Sequence, residues 1–122
     1  KANETSIGLG IAYPAVNTAG GDVVLIGNAP EGQATHYLLG PFGKTTWAKQ
    51  HQLPGVCPVV PQHVNNLVVY NEYPHRGSSW FDEDDKILYL DRWDDVLKLL
   101  QKSHGADTKV AVYPNAEIQH CV

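Results

Sequence analysis

Gly21-Asp22-Val23-Val24-Leu25-Ile26-Gly27-Asn28-Ala29-Pro30-Glu31-Gly32-Gln33-Ala34-Thr35-His36-Tyr37 is the stretch whose reading decides the fold. An apolar run rich in β-branched residues ends in a polar turn with Pro30 and Gly32, and helix-compatible sequence follows. The run from Asp22 to Gly27 is too short to cross a membrane, and its branching favours a strand covered on both faces. Such strands belong to parallel sheets. In an open parallel sheet ligands sit beyond the carboxyl ends of the strands, so Asn28 to His36 falls where chemistry is expected.

The same pattern recurs downstream. Leu67 to Asn71 (LVVYN) is a second apolar run, followed by the polar loop Glu72-Tyr73-Pro74-His75-Arg76-Gly77. Lys86 to Leu90 (KILYL) is a third strand. Asp91, with Asp94 three residues on, reads as the start of a helix by a capping-box pattern with Asp in the Glu position. That helix carries Trp93, Val96, Leu97, Leu99 and Leu100 on one face, Lys98 and Lys102 toward solvent and its C-terminal end, and Gly105 as the C′ residue. Lys109 to Tyr113 (KVAVY) is a fourth strand, closed by Pro114-Asn115, with Glu117 to Val122 as a short final strand or tail.

Upstream, Asn3 to Val16 has Ile7, Ile11 and Ala15 at helical spacing, with Pro14 kinking or ending the helix and Gly20-Gly21 breaking the chain before the first strand. His36 to Leu39 extends a helix, Gly40 to Gly43 interrupts it, and Lys44 to Gln50 follows. Pro54, Pro58 and Pro61 make Gln52 to Gln62 an extended or edge segment rather than a central strand. Strands alternating with helices predict right-handed crossovers and a Rossmann-like, three-layer αβα sandwich on a mainly parallel sheet of roughly four to five strands. One edge then gathers Asn28 to His36, Glu72 to Arg76, Asp91 to Trp93 and Pro114-Asn115.

Composition bounds the function. The chain has 122 residues, 43% of them hydrophobic, which predicts one domain with a real core. Charged residues make up 18% and the net charge is -4, so no basic field holds nucleic acid or an anionic membrane. No apolar run approaches the roughly 20 residues of a membrane helix. Cys57 and Cys121 lack CxxC spacing, and the expected setting is reducing and cytoplasmic. Methionine is absent and the chain opens inside a helix start at Lys1-Ala2-Asn3-Glu4, as a domain cut from a longer polypeptide would.

Several residues on the predicted edge have useful chemistry. Asn28, Glu31 and Gln33 lie on a turn whose free amides, at the start of the next helix, suit an anion, although the turn is neither GxGxxG nor a P-loop. His36 lies about one helical turn beyond Gln33, so the two side chains can share a face, and an imidazole there suits proton transfer or ligand binding. Glu72, His75 and Arg76 bring an acid, a base and a bidentate donor together on the second loop. Each group also has a plain reading, as an ordinary turn, a backbone-bonded helix histidine, or a solvated Pro-His-Arg-Gly turn. The run Asp82 to Asp85 is a solvated turn at the amino end of the third strand. Neither a metal-ligand spacing nor a GxSxG elbow is present.

Gly20-Gly21-Asp22-Val23-Val24-Leu25-Ile26, the Pro30-Glu31-Gly32 turn, Leu67 to Asn71, the Asp91 to Gly105 helix and Lys109 to Asn115 resemble, in order, the C-terminal domain of lactate racemase-like proteins. The resemblance implies a two-domain enzyme with a nickel-pincer nucleotide in the cleft between domains. The N-terminal domain of the same polypeptide would supply the cofactor-bearing lysine, the metal-ligand histidine and a catalytic histidine pair, leaving no cofactor to this chain. That family places a glutamine and a lysine on the first helix of this domain, whereas Asn3 to Gly10 contains neither. The resemblance therefore extends equally to a relative acting on another 2-hydroxy acid or on a different small-molecule substrate. Two other readings follow from the residues alone: a self-contained module for a nucleotide or small anion, and a non-catalytic interaction domain built on scattered aromatics.

Overall fold

Val64–Tyr70 forms the central strand, β2, of a three-stranded sheet in a computed structural model that describes residues 8–27, 59–73 and 84–114. Its neighbours are β1 (Gly21–Ile26) and β3 (Ile87–Leu90), in the order β1-β2-β3, and both pairings are parallel. Among the described residues two helices accompany them, α1 (Leu9–Ala15) and α2 (Trp93–Ser103). The chain is α/β, as the alternating pattern predicts.

The strand covered on both faces is β2 and not β1. Leu67 and Val68 point to opposite faces and both are fully buried, with Val69 almost so. In β1 only Val23 and Leu25 are buried, while Ile26 is 62% exposed, which corrects the expectation of a doubly covered first strand. The reason is position. β1 has one ladder partner among the described residues, and β2 has two.

The ladder also begins earlier than Leu67. Gly21 lies opposite Val64 and Asp22 opposite Asn66, so β2 carries Asn65 as an extra residue. Gly20 approaches this irregularity with φ of 122°, and a Cβ there would lie 3.2 Å from the Asn65 side chain. A Cβ on Gly21 would come within 2.9 Å of Val16 Cγ1. The Gly20-Gly21 break is thus required both by backbone angle and by close approach of α1.

α1 packs through Leu9, Ala12, Tyr13 and Val16, the i, i+3, i+4, i+7 stripe, against Val23, Leu25, Leu67 and Val69. The predicted stripe of Ile7, Ile11 and Ala15 is corrected: Ile11 is half-buried, Ala15 is exposed, and Ile7 lies outside the described residues. Leu9 and Tyr13 offer more apolar surface on adjacent turns, and that surface decides which side faces the sheet. Pro14 sits one residue before the end of α1, where the expected termination occurs.

α2 lies against the other set of side chains. The Trp93 ring meets Tyr70 edge-on, with centroids 5.3 Å apart and planes at 69°, and Tyr70 shares its face with Val68. Val96 is fully buried, Leu99 and Leu100 are half-buried, and Trp93 and Leu97 keep about two fifths of their surface in water. The cap differs from the Asp91 expectation. Arg92 is the N-cap, its side chain makes no capping hydrogen bond, and its carbonyl accepts from Asp95 and Val96. Asp94 and Asp95 occupy the first turn and complement the helix dipole. Gly105 does not adopt the left-handed conformation of a C′ glycine, because His104 ends α2 in extended backbone and its side chain turns to the sheet.

The expected fourth strand at Lys109 to Tyr113 is not formed. Residues 108–113 are irregular, with Val110 and Val112 78% and 75% exposed. Alternating valines favour a strand only when a ladder partner is present. The Asp84-Asp85 part of the acidic run is a turn, as predicted: Asp84 Oδ1 and the Asp84 carbonyl accept from the amides of Lys86 and Ile87. Residues 59–61 are irregular too, in line with an extended Pro-containing segment.

Candidate functional site

Because all three strands are parallel, their carboxyl ends coincide at Gly27, Asn71 and Asp91. The ladder runs one residue past each strand: Gly27 N donates to the Tyr70 carbonyl at 2.9 Å, and Asn71 N donates to the Leu90 carbonyl at 3.0 Å. Asn71 therefore stands between the other two strand ends. It is 3% exposed, and it is the buried polar residue of the described core. Its Oδ1 accepts from Tyr73 N at 3.0 Å, an Asx turn that reverses the chain as it leaves the sheet. Its Nδ2 is buried and has no hydrogen-bond partner among the described residues.

Glu72 follows on that turn and is exposed. At the third strand end Arg92 is exposed and faces Asp94 and Asp95 at 3.9 and 3.8 Å, so part of its charge is answered locally. Of the residues expected to form the site, Glu72 is placed on the carboxyl edge, and Asn28, Glu31, Gln33, His36, His75 and Arg76 lie outside the described residues. Asn71 was missed. It closed an apolar run, and nothing local marks a buried amide as lacking a partner.

The opposite end of the sheet is polar but closed. Asp22 accepts from Asn66 Nδ2 at 2.8 Å through Oδ1 and from His104 Nε2 at 2.7 Å through Oδ2, with only 2% of its side chain exposed. Lys86 Nζ donates to the carbonyls of Val64, Gln62 and Pro61 at 2.9, 3.2 and 3.4 Å, and His63 Nε2 donates to the Tyr13 carbonyl at 3.1 Å. These contacts consume their groups in holding β1, β2, β3 and the two helices in place. No spacing rule joins Asp22 to His104, which stand 82 residues apart.

Tyr13 is the titrating group that this end perturbs. Burial, then the negative charge of Asp84, pushes its phenol from 10.0 up to about 12, and its hydroxyl is buried without a partner. A raised acid favours the protonated form in the folded chain. Its contribution to stability is complete below pH 10 and is lost as pH rises toward 12. Tyr13→Phe is expected to flatten the loss of stability between those pH values and to leave stability at pH 7 unchanged or slightly higher. Urea unfolding at neutral and alkaline pH checks this, and a parallel decline in both proteins would refute it.

Along the outer edge of β3 an open groove is lined by Ile87, Leu88, Leu90 and Leu99, with Lys98 and Lys102 at its margin. Among the described residues no three His, Cys, Asp or Glu side chains are grouped to hold a metal, and no helix is long and apolar enough to cross a membrane.

Fold and site together define an α/β protein with a parallel sheet whose strand ends carry the polar groups. Comparison with protein-family models, with curated proteins and with solved structures finds no match.

Proposed function

We propose that this chain is the cleft-closing C-terminal domain of a lactate racemase-like protein. In this reading its strand-end loops face a cofactor and a 2-hydroxy acid held between it and an N-terminal domain. The observation that supports a site at this edge is the path of α2. It leaves the carboxyl end of β3 and crosses the face of Val68 and Tyr70. It ends where His104 meets Asp22 at the amino end of β1, 2.7 Å away. The next strand is then delivered to the outer edge of β1, giving the order 3-2-1-4 of a doubly wound sheet. Lys109 to Tyr113 is its natural candidate, completing a fourth strand and a three-layer sandwich when a partner orders it.

In that order the chain changes direction beyond the carboxyl end of β1, which is where open α/β sheets bind ligands. Asn28 and the residues to His36 follow that point directly. Glu31, Gln33 and His36 would contact the ligand from this loop, with Glu72, His75 and Arg76 from the loop after β2. The resemblance supports the reaction class, the racemisation of a 2-hydroxy acid. The resemblance assigns the metal, its nucleotide and the proton transfers to the other domain. This chain contributes orientation and the exclusion of water.

Reading the encoding frame upstream of Lys1 tests the proposal, and a second domain with paired histidines is expected. With that parent protein in hand, Gln33→Ala and His36→Ala should each raise the KM for the 2-hydroxy acid by about tenfold, the loss of one hydrogen bond to a charged group. An upstream frame encoding no such domain, or variants with unaltered kinetics, would overturn the reading.

A further inference from the structure

We infer that Asn71 is a ligand-binding residue, whose side-chain amide donates to an anionic oxygen, carboxylate or phosphate, bound at the carboxyl end of β1 and β2. This deepens the proposed function and rests on it for the location of the cleft. Three observations on one side chain carry the inference. Asn71 is the residue after β2, the central strand, and the pairing of Ile26 with Tyr70 sets it beside Gly27 at the end of β1. Its Oδ1 is committed to the Tyr73 amide, which fixes the orientation of the carboxamide, since only oxygen can accept there. Its Nδ2, with two N–H donors, is buried and unpaired.

Two unpaired donors in a buried site are costly, on the order of 1–3 kcal/mol when a single group is left unmade. A hydrophobic residue of similar size would fill the same space without that penalty. The turn alone does not require the amide, because aspartate or serine supplies an acceptor equally well. What asparagine adds is a pair of donors, and donors select an acceptor. An anionic oxygen gives the stronger bond, roughly twice that of a neutral acceptor. Arg92 lies one residue past the adjoining strand end at Asp91, with part of its charge answered by Asp94 and Asp95 and with Glu72 exposed at the same edge, so the donors of Asn71 rather than a net charge select the acceptor. The second buried orphan, the Tyr13 hydroxyl, stands next to Asp84 at the opposite end and has no such surroundings.

The side-chain amide can be observed directly by 15N–1H NMR of the 122-residue chain, titrated in one arm with glycolate and in the other with inorganic phosphate. Saturable movement of the Asn71 Nδ2 protons, with the Gly27 backbone amide moving alongside, is the expected result. The arm in which it occurs identifies the oxygen as carboxylate or phosphate. Asn71→Asp keeps the acceptor for Tyr73 and removes both donors, and it should weaken binding at least tenfold while the remaining spectrum keeps its dispersion. Should that variant fail to fold, the titration of the unaltered chain still decides. If Gly27 and Glu72 move while the Asn71 side chain does not, the inference about Asn71 is overturned and the cleft stands. If both probes leave the whole carboxyl edge unmoved, the inference about Asn71 is overturned, and the two-domain cleft is left to the upstream-frame test.

Discussion

Asp22→Ala is expected to lower the unfolding free energy by about 3 kcal/mol, the loss of two hydrogen bonds to a buried carboxylate at about 1.5 kcal/mol each. The carboxylate is almost fully enclosed and has both oxygens engaged, one by Asn66 on the neighbouring strand and one by His104 at the end of α2. Its removal leaves the Asn66 amide without its acceptor and releases the end of α2 from β1. Two penalties therefore add, a lost pair and a half-buried donor left open. Urea unfolding followed by circular dichroism gives the number. Asp91→Ala, at an exposed carboxylate at the other end of the sheet and outside the network, should change stability by no more than about 0.5 kcal/mol. In a double-mutant cycle, adding His104→Ala to Asp22→Ala should cost clearly less than His104→Ala alone, because the partner is already gone. Additive losses, or a loss below about 1 kcal/mol for Asp22→Ala, would remove the network from the account of what ties α2 to the sheet.

Leu67→Ala should be comparably severe, at about 3 kcal/mol or more, within the usual range for a buried leucine. Leu67 is fully buried on the middle strand and belongs to the cluster that joins Leu9 of α1 to Val23, Leu25, Val64 and Val69, with Ile87 of β3 packed against it. Neighbours on both sides are held by hydrogen-bonded ladders, so the space left behind closes only in part, and a cavity term adds to the lost transfer energy. Val110→Ala provides the contrast. The residue is 78% exposed, and its truncation is expected to change stability by less than about 0.5 kcal/mol. A Leu67→Ala midpoint indistinguishable from the parent chain would mean that the cluster is not the core.

Much of the fold was legible in local pattern. The apolar runs at Asp22 to Gly27, Leu67 to Asn71 and Lys86 to Leu90 each had a strand-like composition, and their separation required crossovers, hence a parallel sheet. The helix after β3 was legible from its spacing and its acidic first turn. Lys109 to Tyr113 had equal local merit and still formed no strand, because β propensity records how a segment fits beside a partner. The cap of α2 was misplaced by one residue for a similar reason: Asp91 and Arg92 both precede the helix, and backbone geometry chose between them.

The candidate site was less legible. The rule about carboxyl ends pointed to an edge, and it drew attention to the charged residues after each strand. Charge marks a residue in a sequence, whereas burial without a partner does not. Asn71 read as the last letter of an apolar run, and Asp22 as the first polar letter before one.

By itself, then, the sequence determined the class of the fold, the direction of the strands and the ends at which loops emerge, since these follow from runs and periods a few residues long. Only the tertiary structure decided that Val64–Tyr70 and not Gly21–Ile26 lies at the centre, that α1 turns Leu9 and Tyr13 inward, that Asp22 holds His104, and that Asn71 is buried with two donors unmet. Each of those depends on which distant segment lies alongside, and the free energy of burial and of hydrogen bonding is settled by neighbours in space.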